Sequence, residues 1–325
     1  MSRVAIVFTG GTISMKPDAQ AGGAVPTLRG DEIIARTPGL AEVAQIEPID
    51  WGLVPASHLG FPTLLELGRL LDETLARDDV DGAVLVQGTD SIEETAFAFD
   101  LLLRSDKPLA VTGAMRHSAE ADYDGPRNLT DAVRCAADGR LRGQGTLVVL
   151  GGLIVAADQV QKTHTSARDP FRSRDGRPLG PVDLDGLRII SRRETRVRLP
   201  VVPSTALDNV HLITVTTGME GTLLRLLRPT RPAAVVVAAT GAGNTHPDIL
   251  AAAQELMETG TLICLTTRCP LGSVAPAYGF PGGGAQWQRA GAILSPLDGP
   301  KCRVALGLGI AAGLELSELR WLLRA

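Results

Sequence analysis

The chain has 325 residues, 32 basic and 36 acidic side chains and a net charge of −4, with 44% hydrophobic and only 3% aromatic residues. That length calls for two domains or one large α/β unit. The mild acidity and the scarcity of aromatics argue against a nucleic-acid or anionic-membrane partner, and the longest apolar stretch, around 146–157, is cut by glycines and is shorter than the about 20 residues of a spanning helix.

Met1-Ser2-Arg3 leads straight into an apolar run, without a basic region, a long apolar region and a small-residue cleavage site. A cytoplasmic protein is therefore expected. Cys135, Cys264, Cys269 and Cys302 are scattered and form no C-x-x-C pair. They read as small apolar side chains of a reducing compartment rather than as half of a metal site.

In chain order, the first predicted strand is 4–8. It runs into Thr9-Gly10-Gly11-Thr12-Ile13-Ser14, where paired glycines let the backbone turn tightly and approach a ligand. Taken alone, the motif reads more simply as a plain tight turn. A phosphate loop does not, because the Gly-Lys-Ser/Thr ending and the G-x-G-x-x-G spacing are both missing. The second strand, 83–86, runs into Gln87-Gly88-Thr89-Asp90 and a helix over 91–104. Ser91 and Glu94 have capping-box spacing, and Ile92, Ala96, Phe99 and Leu103 share one helical face. Capping needs one polar residue, so the Thr89–Asp90 pair is left over, beside backbone N–H groups able to bind an oxyanion.

A third strand, 109–112, is followed by Gly113-Ala114-Met115-Arg116 and then by Asp124-Gly125-Pro126-Arg127-Asn128; a fourth is 147–150. Lys162, in Gln161-Lys162-Thr163-His164-Thr165, is a candidate base or charge stabiliser, although a loop lysine is more often only solvated. Residues 166–203 are rich in Arg, Asp, Gly and Pro and read as a loop-and-hairpin segment. Its arginines, interleaved with Asp169, Asp175, Asp183, Asp185 and Glu194, predict a solvated surface of mixed charge. A linker is expected over 201–209. Strands at 210–215, 234–238 and 262–266 and helices at 248–259 and 315–323 then repeat the α/β pattern. The fold class is α/β: a large parallel-sheet, doubly wound domain over 1–200 and a smaller α/β domain over 210–325.

In such sheets ligands bind at the carboxyl ends of the strands, where the unusual motifs lie. Thr-Gly-Gly-Thr-Ile, Gly-Thr-Asp-Ser-Ile-Glu-Glu-Thr-Ala, Gly-Ala-Met-Arg with Asp-Gly-Pro-x-Asn-Leu, and Lys-Thr-His-Thr, in that order, resemble the bacterial-type L-asparaginase family. Pro178-Leu179-Gly180, Gly241-Ala242-Gly243-Asn244, Arg268-Cys269-Pro270 and Tyr278-Gly279 continue the resemblance over nearly the whole chain. The resemblance implies an amidohydrolase without metal or organic cofactor, assembled as a homodimer or a homotetramer of intimate dimers. Its substrate would be L-asparagine, with L-glutamine or another small amide as alternatives, since one methylene is worth only about 1–3 kcal/mol in a pocket. Thr12 resembles the nucleophile, and Thr89, Asp90 and Lys162 the second catalytic group. Gly11, Ser57, His58, Gly88 and Ala114 fall at substrate-binding positions.

The family pattern is broken in three places. The segment 15–27 lacks the tyrosine that family members place there, and Tyr123, just before Asp124, is the candidate substitute. His246 stands where well-studied members have an asparagine, and 279–286 holds no acid to match the glutamate they receive from a neighbouring subunit; His246 also reads simply as a helix-start residue before Pro247. Gln87 and His58 stand where histidine and glutamine are respectively common. A catalytically weak amino-acid-binding homologue is the non-enzyme alternative; an amidotransferase subunit fits less well, because the chain is acidic and opens directly on the catalytic strand.

Overall fold

The computed structural model describes residues 1–183, 185–205 and 209–324. They form two compact units, Met1–Arg198 and Leu199–Ala325. Part of the expected linker, 206–208, lies outside the described residues.

The first unit contains, in order, β1 (Arg3–Phe8), β2 (Met15–Asp18), β3 (Gly23–Pro26), α1 (Gly30–Ala35), α2 (Leu40–Val43), β4 (Gln45–Asp50), α3 (Phe61–Ala76), β5 (Gly82–Val86), α4 (Ile92–Leu102), β6 (Leu109–Thr112), α5 (Gly125–Ala137), β7 (Thr146–Leu150), β8 (Leu153–Ala156), β9 (Val160–Lys162), β10 (Phe171–Ser173), β11 (Gly180–Asp183) and β12 (Gly186–Leu187). Eight strands form one sheet in the order β12-β11-β8-β7-β6-β5-β1-β4. β4, β1, β5, β6 and β7 run parallel, and the last three pairings toward β12 are antiparallel.

The parallel strands are apolar throughout because both faces are covered. Val4, Ile6 and Phe8 of β1 and Val84 and Val86 of β5 pack with Leu129, Ala132, Val133 and Ala136 of α5 in one buried cluster. Ala5, Val7 and Leu85 point to the other face and are equally closed to solvent. There α3 packs against α4, and a Cβ added at Gly68 would lie 3.0 Å from Leu102 Cδ1. Alternating residues of each strand thus feed two separate cores, which defines a doubly wound sheet.

The second unit contains β13 (Val210–Thr214), α6 (Thr222–Leu227), β14 (Ala234–Ala239), α7 (Pro247–Met257), β15 (Leu262–Thr267), α8 (Gly284–Ala290), β16 (Ile293–Leu294), α9 (Gly299–Ala311) and α10 (Leu316–Leu322). Its four strands, β13-β14-β15-β16, are all parallel. Val235, Val237, Leu265, Ile249, Leu256 and Trp287 share one core cluster, while α9 packs along β13, β14 and β15.

Two expectations need correction. Ser91 makes no capping hydrogen bond; its Oγ donates to the Ala56 carbonyl at 3.1 Å, and the α4 helix begins at Ile92. The hydroxyl ties two loops together, which a cap would have prevented. Residues 166–203 are not all a solvated surface. Arg193 and Arg196 are buried to 8% and 6% side-chain exposure and pair with Asp100 of α4, itself 1% exposed, at 2.7 and 3.0 Å. Arg193 also lies 3.3 Å from Asp158. The partners come from outside the segment, so its internal charge balance could not reveal them.

Candidate active site

β1 and β5 are neighbours, and their carboxyl ends bring the first two motifs together. Gly10 and Gly11 have φ of +107° and +86°, which side chains rarely tolerate. A Cβ on Gly11 would sit 2.2 Å from the Gly88 nitrogen, and one on Gly88 would sit 2.9 Å from Ala56 Cβ. Glycine at both positions is therefore a condition for the two turns to touch. Thr12 then opens a short 3-10 turn, Thr12–Ser14, held by the Ser14 amide and hydroxyl, both donating to the Gly11 carbonyl at 2.9 and 2.7 Å. Thr12 is half-buried, and no group among the described residues hydrogen-bonds to its hydroxyl.

Thr89–Ser91 forms a second 3-10 turn at the end of β5. Thr89 is buried, and Lys162 Nζ donates to its Oγ1 at 2.9 Å and to Asp90 Oδ1 at 2.7 Å. Lys162 is not in a loop. It ends β9, which pairs with β10, and its amide donates to Glu93 Oε2 at 2.6 Å. The Lys162 side chain is 14% exposed and Asp90 76%, so the pair runs from the protein interior to the surface.

The remaining positions fall around this pair to different degrees. Ala56–His58 is a 3-10 turn strapped to Ser91; Ser57 and His58 are exposed. Ala114, in the loop after β6, is fully buried; β6 lies beside β5, and a Cβ on Gly113 would lie 3.1 Å from Thr89 Cγ2. Gln87 is turned inward: its Nε2 donates to the Gly88 carbonyl, and its Oε1 accepts from Thr95 Oγ1. Tyr123 Oη donates to the Ile13 carbonyl at 2.8 Å, next to Thr12, and burial pushes the phenol above its ordinary range. His246, in the second unit, caps α7, its ring nitrogen accepting from the Asp248 amide. Among the described residues no group of three or more His, Cys, Asp or Glu side chains could hold a metal ion, and no helix is long and apolar enough to cross a membrane.

Sequence reasoning passed over Glu93, whose carboxylate fixes the Lys162 backbone. The adjacent acids Glu93 and Glu94 at the start of α4 were the available signal, but the capping-box reading directed attention to Glu94.

The ends of two neighbouring strands of a doubly wound sheet thus carry a threonine whose hydroxyl has no partner among the described residues and a hydrogen-bonded threonine–lysine–aspartate cluster, and the relatives of a chain with this fold place it in the class of amidohydrolases. Residues 3–195 match the asparaginase N-terminal domain, and residues 209–323 match the glutaminase/asparaginase C-terminal domain. The chain belongs to the asparaginase family. It is 33% identical to a probable L-asparaginase of Deinococcus radiodurans, over 98% of this chain and 96% of that one. A glutaminase-asparaginase of Pseudomonas fluorescens is 30% identical over 81% of this chain and 74% of its own. The crystal structure of a probable cytoplasmic L-asparaginase from Campylobacter jejuni superposes with a TM-score of 0.87 at 27% identity, covering 99% of both chains.

Proposed function

We propose that this amidohydrolase releases ammonia from L-asparagine by a double displacement in which Thr12 is the nucleophile. The observation that carries this reading is the contrast between the two threonines. The Thr12 hydroxyl has no hydrogen-bond partner among the described residues, whereas the Thr89 hydroxyl accepts from Lys162, which also pairs with Asp90. Thr12 Oγ attacks the side-chain amide carbon and its proton passes to the departing nitrogen, so ammonia leaves and an aspartyl ester remains. Water, oriented by Thr89, then adds to the ester, and aspartate departs as Thr12 regains its proton. Lys162 polarises Thr89 and stabilises charge at that hydroxyl. Asp90 holds the Lys162 side chain against Thr89 by accepting its own hydrogen bond from Nζ. Backbone N–H groups near Gly11 and Gly88, together with the Ala114 loop, are assigned to the oxyanion and amide, and Ser57 and His58, on the exposed 3-10 turn, to the substrate's polar end.

The same reading takes 1–200 as the catalytic domain, 201–209 as the linker and 210–325 as the second domain. It further takes the protein to be cytoplasmic and a homodimer or homotetramer. Four free cysteines, three of them buried, agree with a reducing compartment. L-glutamine is the second substrate to test, because one relative carries both names. Ammonia release from L-asparagine and L-glutamine, wild type against Thr12→Ala, is the deciding assay. Turnover of asparagine that vanishes in the variant supports the reading, and a folded wild type silent on both amides overturns it.

A further inference from the structure

The segment between β6 and α5 does more than connect them. Asp124 is the N-cap residue of α5, yet its side chain makes no cap hydrogen bond. An Asp in that position ordinarily accepts from the second or third helical N–H, a bond worth about 1 kcal/mol, and Pro126 removes one of those donors. The carboxylate is turned back instead. Its oxygens accept from the Met115 amide at 3.1 and 3.0 Å, from the Arg116 amide at 2.9 Å and from Asn128 Nδ2 at 3.0 Å. Asn128 completes the network. It is 1% exposed, donates to the Gly113 carbonyl at 3.1 Å and accepts from the Gly151 amide at 3.1 Å. Every residue flanking Ala114 is thereby fixed through its backbone.

Tyr123, the preceding residue, reaches the other way. Its hydroxyl holds the Ile13 carbonyl, and its ring lies so close to Gly125 that a Cβ there would be 2.4 Å from the Tyr123 Oη. Ser118, in the same segment, donates from its amide and its hydroxyl to the Met15 carbonyl at 3.3 and 2.9 Å. In the sheet, β5 lies between β1 and β6, so the Thr12 turn and the Ala114 loop flank the Thr89 turn, on strands about 10 Å apart. Neighbouring residues of one segment therefore hold both flanks.

We infer that Tyr123 and Asp124 are positioning residues for acyl transfer: a clasp in which Tyr123 fixes the turn carrying Thr12 and Asp124, with Asn128, fixes the loop carrying Ala114, so that nucleophile and amide contacts keep one spacing around Thr89. This rests on the reading of Thr12 as nucleophile. Neither residue touches substrate; each acts through backbone groups. The missing tyrosine of the segment 15–27 is thus answered by placement of the Thr12 turn and not by a proton acceptor.

The test uses the full-length protein and the variants Tyr123→Phe and Asp124→Asn, assayed with L-asparagine beside wild type and Thr12→Ala. Tyr123→Phe is expected to lower kcat about 3- to 10-fold, as befits one lost hydrogen bond, with KM within about 2-fold and the shape of the pH–rate profile unchanged. In Asp124→Asn an amide N–H must face at least one donor, so the loop shifts; kcat/KM is expected to fall about 100-fold, through both kcat and KM. Wild-type kinetics in both variants, with only a lowered Tm, overturns the clasp, as does an altered alkaline limb in Tyr123→Phe, which marks proton transfer. Amide hydrogen exchange keeps the clasp testable if wild type is inactive and the reading of Thr12 itself fails. Faster exchange at Ser14 in Tyr123→Phe and at Met115 and Arg116 in Asp124→Asn supports the clasp, and unchanged exchange overturns it.

Discussion

Each unit ends its parallel strands in glycine-rich turns next to threonines, and the two ends are put to different use. In the first unit the Thr12 hydroxyl has no partner among the described residues, and the Thr89 hydroxyl accepts from Lys162, itself paired with Asp90. In the second, β14 runs into Thr240-Gly241-Ala242-Gly243-Asn244, and that turn closes on itself. The Thr240 Oγ1 donates to the Asn244 carbonyl at 2.8 Å, and Thr267 Oγ1, at the end of β15, donates to the Gly241 carbonyl at 2.6 Å. The lysines divide the same way. Lys162–Asp90 and Lys301–Asp298 have the same 2.7 Å separation, but the former opens to solvent and the latter is sealed, with Lys301 at 0% exposure. Similar topology thus ends in threonines whose hydroxyls have different partners in the two units.

The largest effect that could break this comparison is at Thr12. Thr12→Ala is expected to lower kcat at least about 10⁴-fold while Tm stays near wild type, because no hydrogen bond is lost; residual turnover of more than a few per cent would assign the nucleophile elsewhere. The two lysines offer the sharpest paired test. Lys162→Met should cost about 10²–10⁴ in kcat with a modest change in stability. Lys301→Met should leave kcat per folded molecule intact and lower stability by about 3–5 kcal/mol, the usual cost of stranding one partner of a buried pair. Chemical denaturation and steady-state kinetics on both variants read this, and matching profiles would erase the distinction between the two ends.

A smaller, pH-dependent effect tests for strain away from the sheet end. Asp131 of α5 lines a cleft of about 530 Å³ with Glu42, Arg127 and Arg134. Burial pushes its carboxyl up to about 6 against the pull of both arginines. Between pH about 4 and 6 the folded state therefore binds more protons than the unfolded one, and stability falls as pH rises through that window. Asp131→Asn should raise stability at pH 8, by at most about 3 kcal/mol, and leave it unchanged near pH 4; a gain that is equal at both pH values contradicts the assignment. The smallest effect is expected at Thr267→Val, about 1–2 kcal/mol of stability for a hydroxyl that donates to the Gly241 carbonyl and accepts from the Cys269 amide, with kcat unaltered in the ammonia assay.

The sequence by itself determined the seven strands β1, β5, β6, β7, β13, β14 and β15, the two α/β patterns and the motif positions at the strand ends, because these depend on local periodicity and on glycines in tight turns; β4 and the short strands β2, β3, β8–β12 and β16 carried no such signal. Thr12, Thr89, Asp90 and Lys162 stood out through the order of their motifs and the family resemblance those motifs carry, and Lys162 lies within hydrogen-bond reach of Thr89 and Asp90. Only tertiary structure decided what each polar group is bonded to. Ser91 was expected to cap its own helix and reaches the Ala56 carbonyl instead. Arg193 and Arg196 were expected in solvent and lie against Asp100, more than ninety positions away in the chain. Asp124 turns from its helix to the Met115 and Arg116 amides. A polar side chain has several partners of nearly equal worth, and the one it takes is set by which backbone groups folding leaves buried and unpaired. That choice is made in space and cannot be read from spacing along the chain.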